Sequence, residues 1–298
     1  MHKQIAGFFA VVALSCATTT LAAAAPARPS AIDEARTLVG SWSCRTTQAG
    51  GLIQPEEDRI EQIGNGPWLH GTSRPLEGRS EPVYDFYVGY EGSHWVYIQI
   101  YPSANFYFVG ISDGSSLTPS SWQIAYPVRL AGYRFQLTAD SFTIRYPDLT
   151  QFCQREPTPS LSASPPPKST MLCSIYYWGH SGALQATEEL TVSQPGAGWW
   201  QGVASTKNPD RVVYAYNLFD LPGKRMSILV NPTTGSYAIA VGSPSKDLND
   251  SVWMVVYPRV QSGFTFRNVV YSSEPGKEKL PSALWLVFKD GYQKCAQR

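Results

Sequence analysis

The stretch Ser120–Pro127 reads SSWQIAYP, and Ser251–Pro258 reads SVWMVVYP. A chain that carries nearly the same segment twice, about 130 residues apart, is constrained first by that repetition. Further landmarks coincide at the same shift and in the same order. Gly64–Ser73 (GNGPWLHGTS) meets Gly196–Ser205 (GAGWWQGVAS), Val83–Phe86 (VYDF) meets Val213–Tyr216 (VYAY), and Pro102 meets Pro232. Chance similarity between aromatic strands yields one such match and not a series in register. The 298 residues therefore read as two copies of one unit, each of ordinary domain size.

The cysteines repeat as well. Cys44 opens the first copy and Cys153 closes it; Cys173 opens the second and Cys295 closes it. Each closing cysteine follows a Gln by two residues and an Asp by five (Asp148 and Gln151, then Asp290 and Gln293). Four cysteines allow three pairings, and the repeat selects Cys44–Cys153 and Cys173–Cys295, joining first strand to last. Such long loops are worth on the order of 4–5 kcal/mol each by loss of chain entropy. Between the copies lies Pro157–Lys168 (PTPSLSASPPPK), rich in Pro and Ser and without an aromatic residue. It reads as an extended spacer, with the first domain over 40–156 and the second over 169–298.

Inside each copy the apolar period is two. Val96, Ile98 and Ile100 share one face, Tyr133, Phe135 and Leu137 another, and Phe142, Ile144 and Tyr146 a third; Phe264 with Phe266 and Ile228 with Val230 do the same in the second copy. Turn signals such as Glu91-Gly92-Ser93 and Pro222-Gly223-Lys224 separate these runs. Only Ala31–Leu38, with Ser30 as cap, reads as helix. The expectation is all-β: two tandem antiparallel up-and-down β-barrels of roughly eight strands each, with two β-sandwiches as the alternative. Aromatic residues make up 13% of the chain and suit large side chains packed on pleated sheets.

The stretch Leu38–Cys44 (LVGSWSC) resembles the Gly-x-Trp opening of lipocalin-like (calycin-type) barrels. The resemblance extends over 40–155 and 170–297 as two tandem lipocalin-like domains of an exported bacterial type. It implies that Trp42 closes one barrel end beneath an Arg from the last strands, Arg145 or Arg155. The second copy departs from the motif, with Ser169 and Met171 in place of Gly40 and Trp42.

The first 24 residues read as a secretory signal peptide: Lys3, the apolar run Ile5–Leu14, then Ala22–Ala25 before Pro26. Residues 25–39 form an N-terminal segment ending in the short helix. Cys16 raises a lipid anchor as an alternative, although Ala13 stands where a lipoprotein signal has Leu. The expected location is periplasmic or secreted, with a membrane-anchored lipoprotein as the alternative. No segment reads as transmembrane. A formal charge of +1 argues against a nucleic-acid partner.

The search for catalytic residues finds none. Gly110–Gly114 (GISDG) matches G-x-S-x-G, but a loop follows where a nucleophile elbow needs a helix. The histidines His70, His94 and His180 are not spaced for a metal, and no metal or other cofactor is expected; His70 alone is a candidate haem ligand. Glu56, Glu57, Asp58 and Glu61, and likewise Glu188 and Glu189, read as charged strand tips. Asp85, among aromatic neighbours, is either an inward acid or, as favoured here, a solvated strand residue. Aromatic positions carry the strongest functional signal: Trp68, Tyr84, Phe86, Trp122, Trp199, Trp200, Tyr214, Tyr216 and Trp253 are candidate walls of a ligand site or, equally, a packed core. The leading expectation is a non-enzymatic binding protein for a small apolar or amphipathic ligand. The alternatives are an envelope structural or interaction module with filled barrels, and an enzyme using an inward acid of the first barrel.

Overall fold

The computed structural model describes residues 29–297, apart from 49–50, 53–54, 77–82, 103, 105, 158–166, 179–183, 197–198, 207–211, 222, 244–250, 274, 276 and 278–279. The expected signal peptide, Cys16, most of the linker and His180 lie outside the described residues. The chain forms two closed ten-strand antiparallel barrels in tandem.

In the first unit, helix α1 (Pro29–Leu38) precedes β1 (Gly40–Gln48) and the two-residue β2 (Gly51–Leu52), which extends β1 only. The wall continues through β3 (Glu56–Gln62), β4 (Trp68–Pro75), β5 (Tyr84–Tyr90), β6 (Trp95–Tyr101) and β7 (Phe106–Ser112). It closes through β8 (Ser120–Tyr126), β9 (Leu130–Leu137), β10 (Ser141–Arg145) and β11 (Leu149–Arg155), which pairs back onto β1. The second unit runs through β12 (Lys168–Tyr177), β13 (Leu184–Gly196), β14 (Trp199–Ser205), β15 (Val212–Leu221) and β16 (Lys224–Val230). It returns through β17 (Tyr237–Gly242), β18 (Val252–Tyr257), β19 (Gln261–Tyr271), β20 (Pro281–Phe288) and β21 (Gly291–Ala296) to β12. Apart from the β2 extension, each wall strand pairs with the next, so both barrels are up-and-down and neither is a sandwich. The expected strand count of eight is corrected to ten. Ser30 lies inside α1, because Pro29 takes the first helical position, where a missing N–H costs nothing.

The disulfides are Cys44–Cys153 and Cys173–Cys295. In each barrel the two cysteines are direct register partners across the closing pair of strands.

The repeated segment has a structural reason. The Trp122 indole N–H donates to Ser120 Oγ at 2.8 Å, and that of Trp253 to Ser251 Oγ at 2.9 Å. Trp122 stacks on Tyr133 with ring centroids 5.5 Å apart, and Trp253 on Phe264 at 5.5 Å. Both strands then end in a cis Tyr–Pro peptide. Pro has no N–H to give the ladder, which suits the end of a strand. Trp, Ser and Tyr-Pro thus recur because each barrel uses the same anchored indole at the same wall position.

One end of the first barrel is closed by α1. Its Ala31, Ala35 and Leu38 are buried, and the Glu34 carboxylate accepts from the Leu117 N–H at 2.6 Å and from the Ser116 hydroxyl at 3.2 Å. Trp42 is fully buried beneath this end and donates to the Leu38 carbonyl at 2.8 Å. Of the two candidate arginines it is Arg155 that covers it, with the guanidinium carbon 4.1 Å from the ring centroid. Arg155 also donates to the Val39 and Thr37 carbonyls at 2.8 and 2.5 Å. Gly40 is required here: its φ is +136°, and a Cβ would lie 2.8 Å from the Arg155 guanidinium. At the other end of the same barrel, where β4 stops and β7 and β9 begin, Leu76, Phe106 and Leu130 are exposed.

Candidate functional site

Strand β3 alternates. Glu56, Asp58 and Ile60 are the more buried set, and Glu57, Arg59 and Glu61 the other. Asp58 pairs in register with Trp42 on one side and Ser73 on the other, which places its carboxyl in the barrel interior. It is 2% exposed, so the reading of this acid as a charged strand tip is corrected: Asp58 points into the first barrel. The Tyr84 hydroxyl reaches both of its oxygens, at 3.2 and 3.3 Å. The Gln151 amide donates to the Tyr84 oxygen at 3.0 Å, and the Ser73 hydroxyl donates to Glu56 at 3.0 Å.

Burial dominates the electrostatics. It pushes the Asp58 carboxyl up to about 7; the Ser73 and Tyr84 hydroxyls pull down, and the Glu56 and Glu57 charges push further up. Glu56 is raised for the same first reason, burial. Burial, then the Asp58 charge, holds Tyr84 well above the usual phenol value, so it stays a hydrogen-bond donor. Among the described residues Asp58 and Glu56 form no ion pair with a cation.

The second barrel repeats part of this cluster. Glu188 is 5% exposed, which corrects its reading as a strand tip too. Gln293 donates to Glu188 at 3.2 Å and to the Tyr214 oxygen at 2.9 Å. Burial pushes Glu188 up to about 7, against hydrogen bonds from Tyr214 and Gln293. Register equates Glu188 with Glu56, because both face the first cysteine of their barrel. The same bookkeeping sets Leu190 opposite Met171 and Ala204, in the places of Asp58 and Ser73. An acid, a Tyr and a Gln are thus common to both barrels, and a second acid with its serine belongs to the first alone.

A cavity of about 40 Å³ lies in the first barrel, with Asp58 and Gln151 as its polar lining. Its apolar wall is mostly Phe86, Tyr97, Trp122, Tyr133, Phe135 and Phe142, with Leu38 of α1 and Leu117 also contributing. Gly71 leaves room for one ring of this wall: a Cβ there would lie 2.1 Å from the Phe86 ring. Gly202 does the same for Tyr216, at 2.3 Å. The Cys44, Cys153 and Asp58 side chains cluster within 4.8 Å, but both sulfurs are spent in the disulfide, so the group offers no thiolate to a metal.

The aromatic candidates separate by face. Tyr84, Phe86 and Trp122 belong to the interior of the first barrel, and Trp200, Tyr214, Tyr216 and Trp253 to that of the second. Trp68 and Trp199 sit on the opposite faces of β4 and β14. They are buried there, Trp68 against Gly89 and Trp199 stacked on Phe219 at 5.4 Å. Asp85 likewise alternates away from Tyr84 and Phe86. It is fully buried rather than solvated, and it pairs with His70 at 2.5 Å. Burial lowers His70, but the Asp85 charge and hydrogen bond, with Glu61, raise it overall. Ser112 of the G-x-S-x-G segment accepts from the Trp95 N–H at 2.8 Å and donates to the Gly114 carbonyl at 2.7 Å. Its hydroxyl is engaged in a turn, with no base beside it among these contacts.

The polar residues missed from sequence were Asp58, Ser73, Glu188 and the glutamines Gln151 and Gln293. The signal for the glutamines was present, since Gln-x-Cys recurs at both seams. No protein-family model matches the chain, and no curated protein matches it.

Proposed function

We propose that the protein is an exported, lipocalin-like binding protein that holds a small ligand in its first barrel. The observation that carries this reading is the interior cavity, whose aromatic wall meets a floor of Asp58 and Gln151 bridged by Tyr84. Convergent polar groups in an otherwise apolar enclosure are how small-molecule sites fix orientation. The lipocalin-like assignment draws support from Gly40, Trp42 and Arg155 at the helix-closed end. Export draws support from two disulfides, which persist in oxidising compartments. Among the described residues no helix is long and apolar enough to cross a membrane.

A second reading, a structural or interaction module with filled barrels, is favoured by one observation. The cavity of about 40 Å³ is far below the roughly 300–1,000 Å³ of drug-sized sites. Native mass spectrometry of protein recovered from its own host separates the two. A bound mass lost on denaturation supports the binding reading and gives the ligand's class. A bare protein mass supports the filled barrel.

A further inference from the structure

The first barrel carries an electrostatic imbalance that its own residues do not resolve. Asp58 and Glu56 share its interior, and neither pairs with a cation among the described residues. Arg155, at the helix-closed end, is engaged with the Trp42 ring and with the Ala139, Val39 and Thr37 carbonyls. A carboxyl at Asp58 has room for more donors than the Tyr84 and Ser73 hydroxyls that act on it. The cavity onto which it opens is lined by the aromatic side chains of Tyr97, Trp122, Tyr133 and Phe135, and the face of such a ring attracts positive charge. The second barrel supplies an internal control. It closes in the same topology with Leu190 and Ala204 in these places, so neither Asp58 nor Ser73 is needed to build such a barrel.

We propose that the first barrel selects a small organic cation, an alkylammonium group seated against the Asp58 carboxylate and the Gln151 amide oxygen beneath the aromatic wall. The inference rests on the binding reading above and adds the charge of the ligand. An anion is repelled by Glu56 and Asp58. A neutral alcohol gains one hydrogen bond but leaves the carboxyl without a counter-charge. An ammonium donates to both acceptors and supplies the missing charge. The cavity holds at most a few water-sized groups, so the alkyl body must be compact.

The test titrates the full mature chain with compact probes of similar size: ethylammonium, ethanol and acetate. The readout is the Trp122 indole resonance in ¹⁵N–¹H NMR. Ethylammonium is expected to bind on the order of 10–100-fold more tightly than ethanol, and acetate not at all. Asp58→Asn should abolish that preference, and so should Asp58→Leu, which copies the second barrel. Glu188→Gln should leave it unchanged. The amine affinity should rise about tenfold per pH unit below 7 and level off above, as Asp58 ionises. The other titratable groups that act on Asp58 are Glu56, Tyr84, Tyr101 and, from the opposite face of β3, Glu57; both phenols are raised and stay protonated, and the Cys44–Cys153 disulfide does not titrate. Equal affinity for amine and alcohol would leave a binding protein but sink the charge inference. So would amine binding that survives both Asp58 substitutions, or a flat pH profile. No response to any probe would also overturn it, while native mass spectrometry would still decide separately whether some other ligand is bound.

Discussion

The two barrels use one wall plan for two interiors. Both have ten strands in simple order, a disulfide across the closing strands, a Trp anchored to a Ser two residues before it, and a ring stacked on that Trp. Both keep a buried acid, Tyr and Gln near the seam. They part at two places. At the end that α1 closes in the first barrel, the places held there by Trp42 and Arg155 are taken in the second barrel by Met171 and Gln297, and Gln297 reaches Ser169 at 2.8 Å. Within the wall, register sets Ser227 and Ala238 where the first barrel has Tyr97 and Phe108, and Trp200 where it has Leu69. Volume lost on one strand returns on another, as close packing requires. Scaffold positions therefore resist change between the copies, while the lid, the second acid and the filling of the interior do not. A feature present in one copy only is where a distinct function belongs.

This comparison can be broken experimentally, and the largest effect should come from the seam. Replacing either cysteine pair by alanine should cost roughly 4–5 kcal/mol of that barrel's stability, and about equally in both. Denaturant unfolding of the two variants measures this; a large inequality would show that the seams are not equivalent. Next comes pH. The folded-state values of Asp58 and Glu188, about 7 each, lie above the ordinary carboxyl range. The stability linked to each group is therefore fully present below about pH 4 and is lost as pH rises through 7. The loss is on the order of 4 kcal/mol for Asp58, and Asp58→Asn should flatten it. Stability that instead rose over this range would refute the raised values. Trp42→Met, which copies the second barrel's lid, should cost about 2 kcal/mol through lost packing and the lost Arg155 stack. Thermal unfolding reads it, and no loss would mean that Arg155 and α1 hold that end without the ring. Smallest is Ser73→Ala, at about 1 kcal/mol for one buried hydrogen bond to Glu56. A loss of several kcal/mol there would mean that the acid cannot tolerate what Ala204 already provides in the second barrel.

The architecture was legible in the sequence because duplication writes itself twice. The paired cysteines and the period-two runs favoured barrels over sandwiches, and Gly-x-Trp pointed to the covered end. The interior chemistry was not legible, for a physical reason. An acidic run such as Glu56–Glu61 looks solvated until the strand's alternation is fixed, and a one-residue change of phase turns Asp58 from tip to core. The same ambiguity explains Trp68 and Trp199, which are large and apolar but face away from the interior. It explains Asp85 as well, whose aromatic neighbours in sequence point to the other side of the wall. Gln151 and Gln293 repeat as faithfully as the cysteines beside them, yet a lone Gln carries no chemical signature until a phenol and a carboxyl are seen against it.

The seam disulfides make each barrel a covalent ring. Cys44 and Cys153 join paired strands at the two ends of one barrel's own chain, as Cys173 and Cys295 do in the other. A single cut in any hairpin between them opens the ring without releasing a piece. The nicked barrel is then a circular permutant, its new ends at the cut and its old ends bridged by sulfur. A protease that reaches a turn can therefore mark these barrels without dismantling them, and only a reductant acting at the seam would let the fragments part.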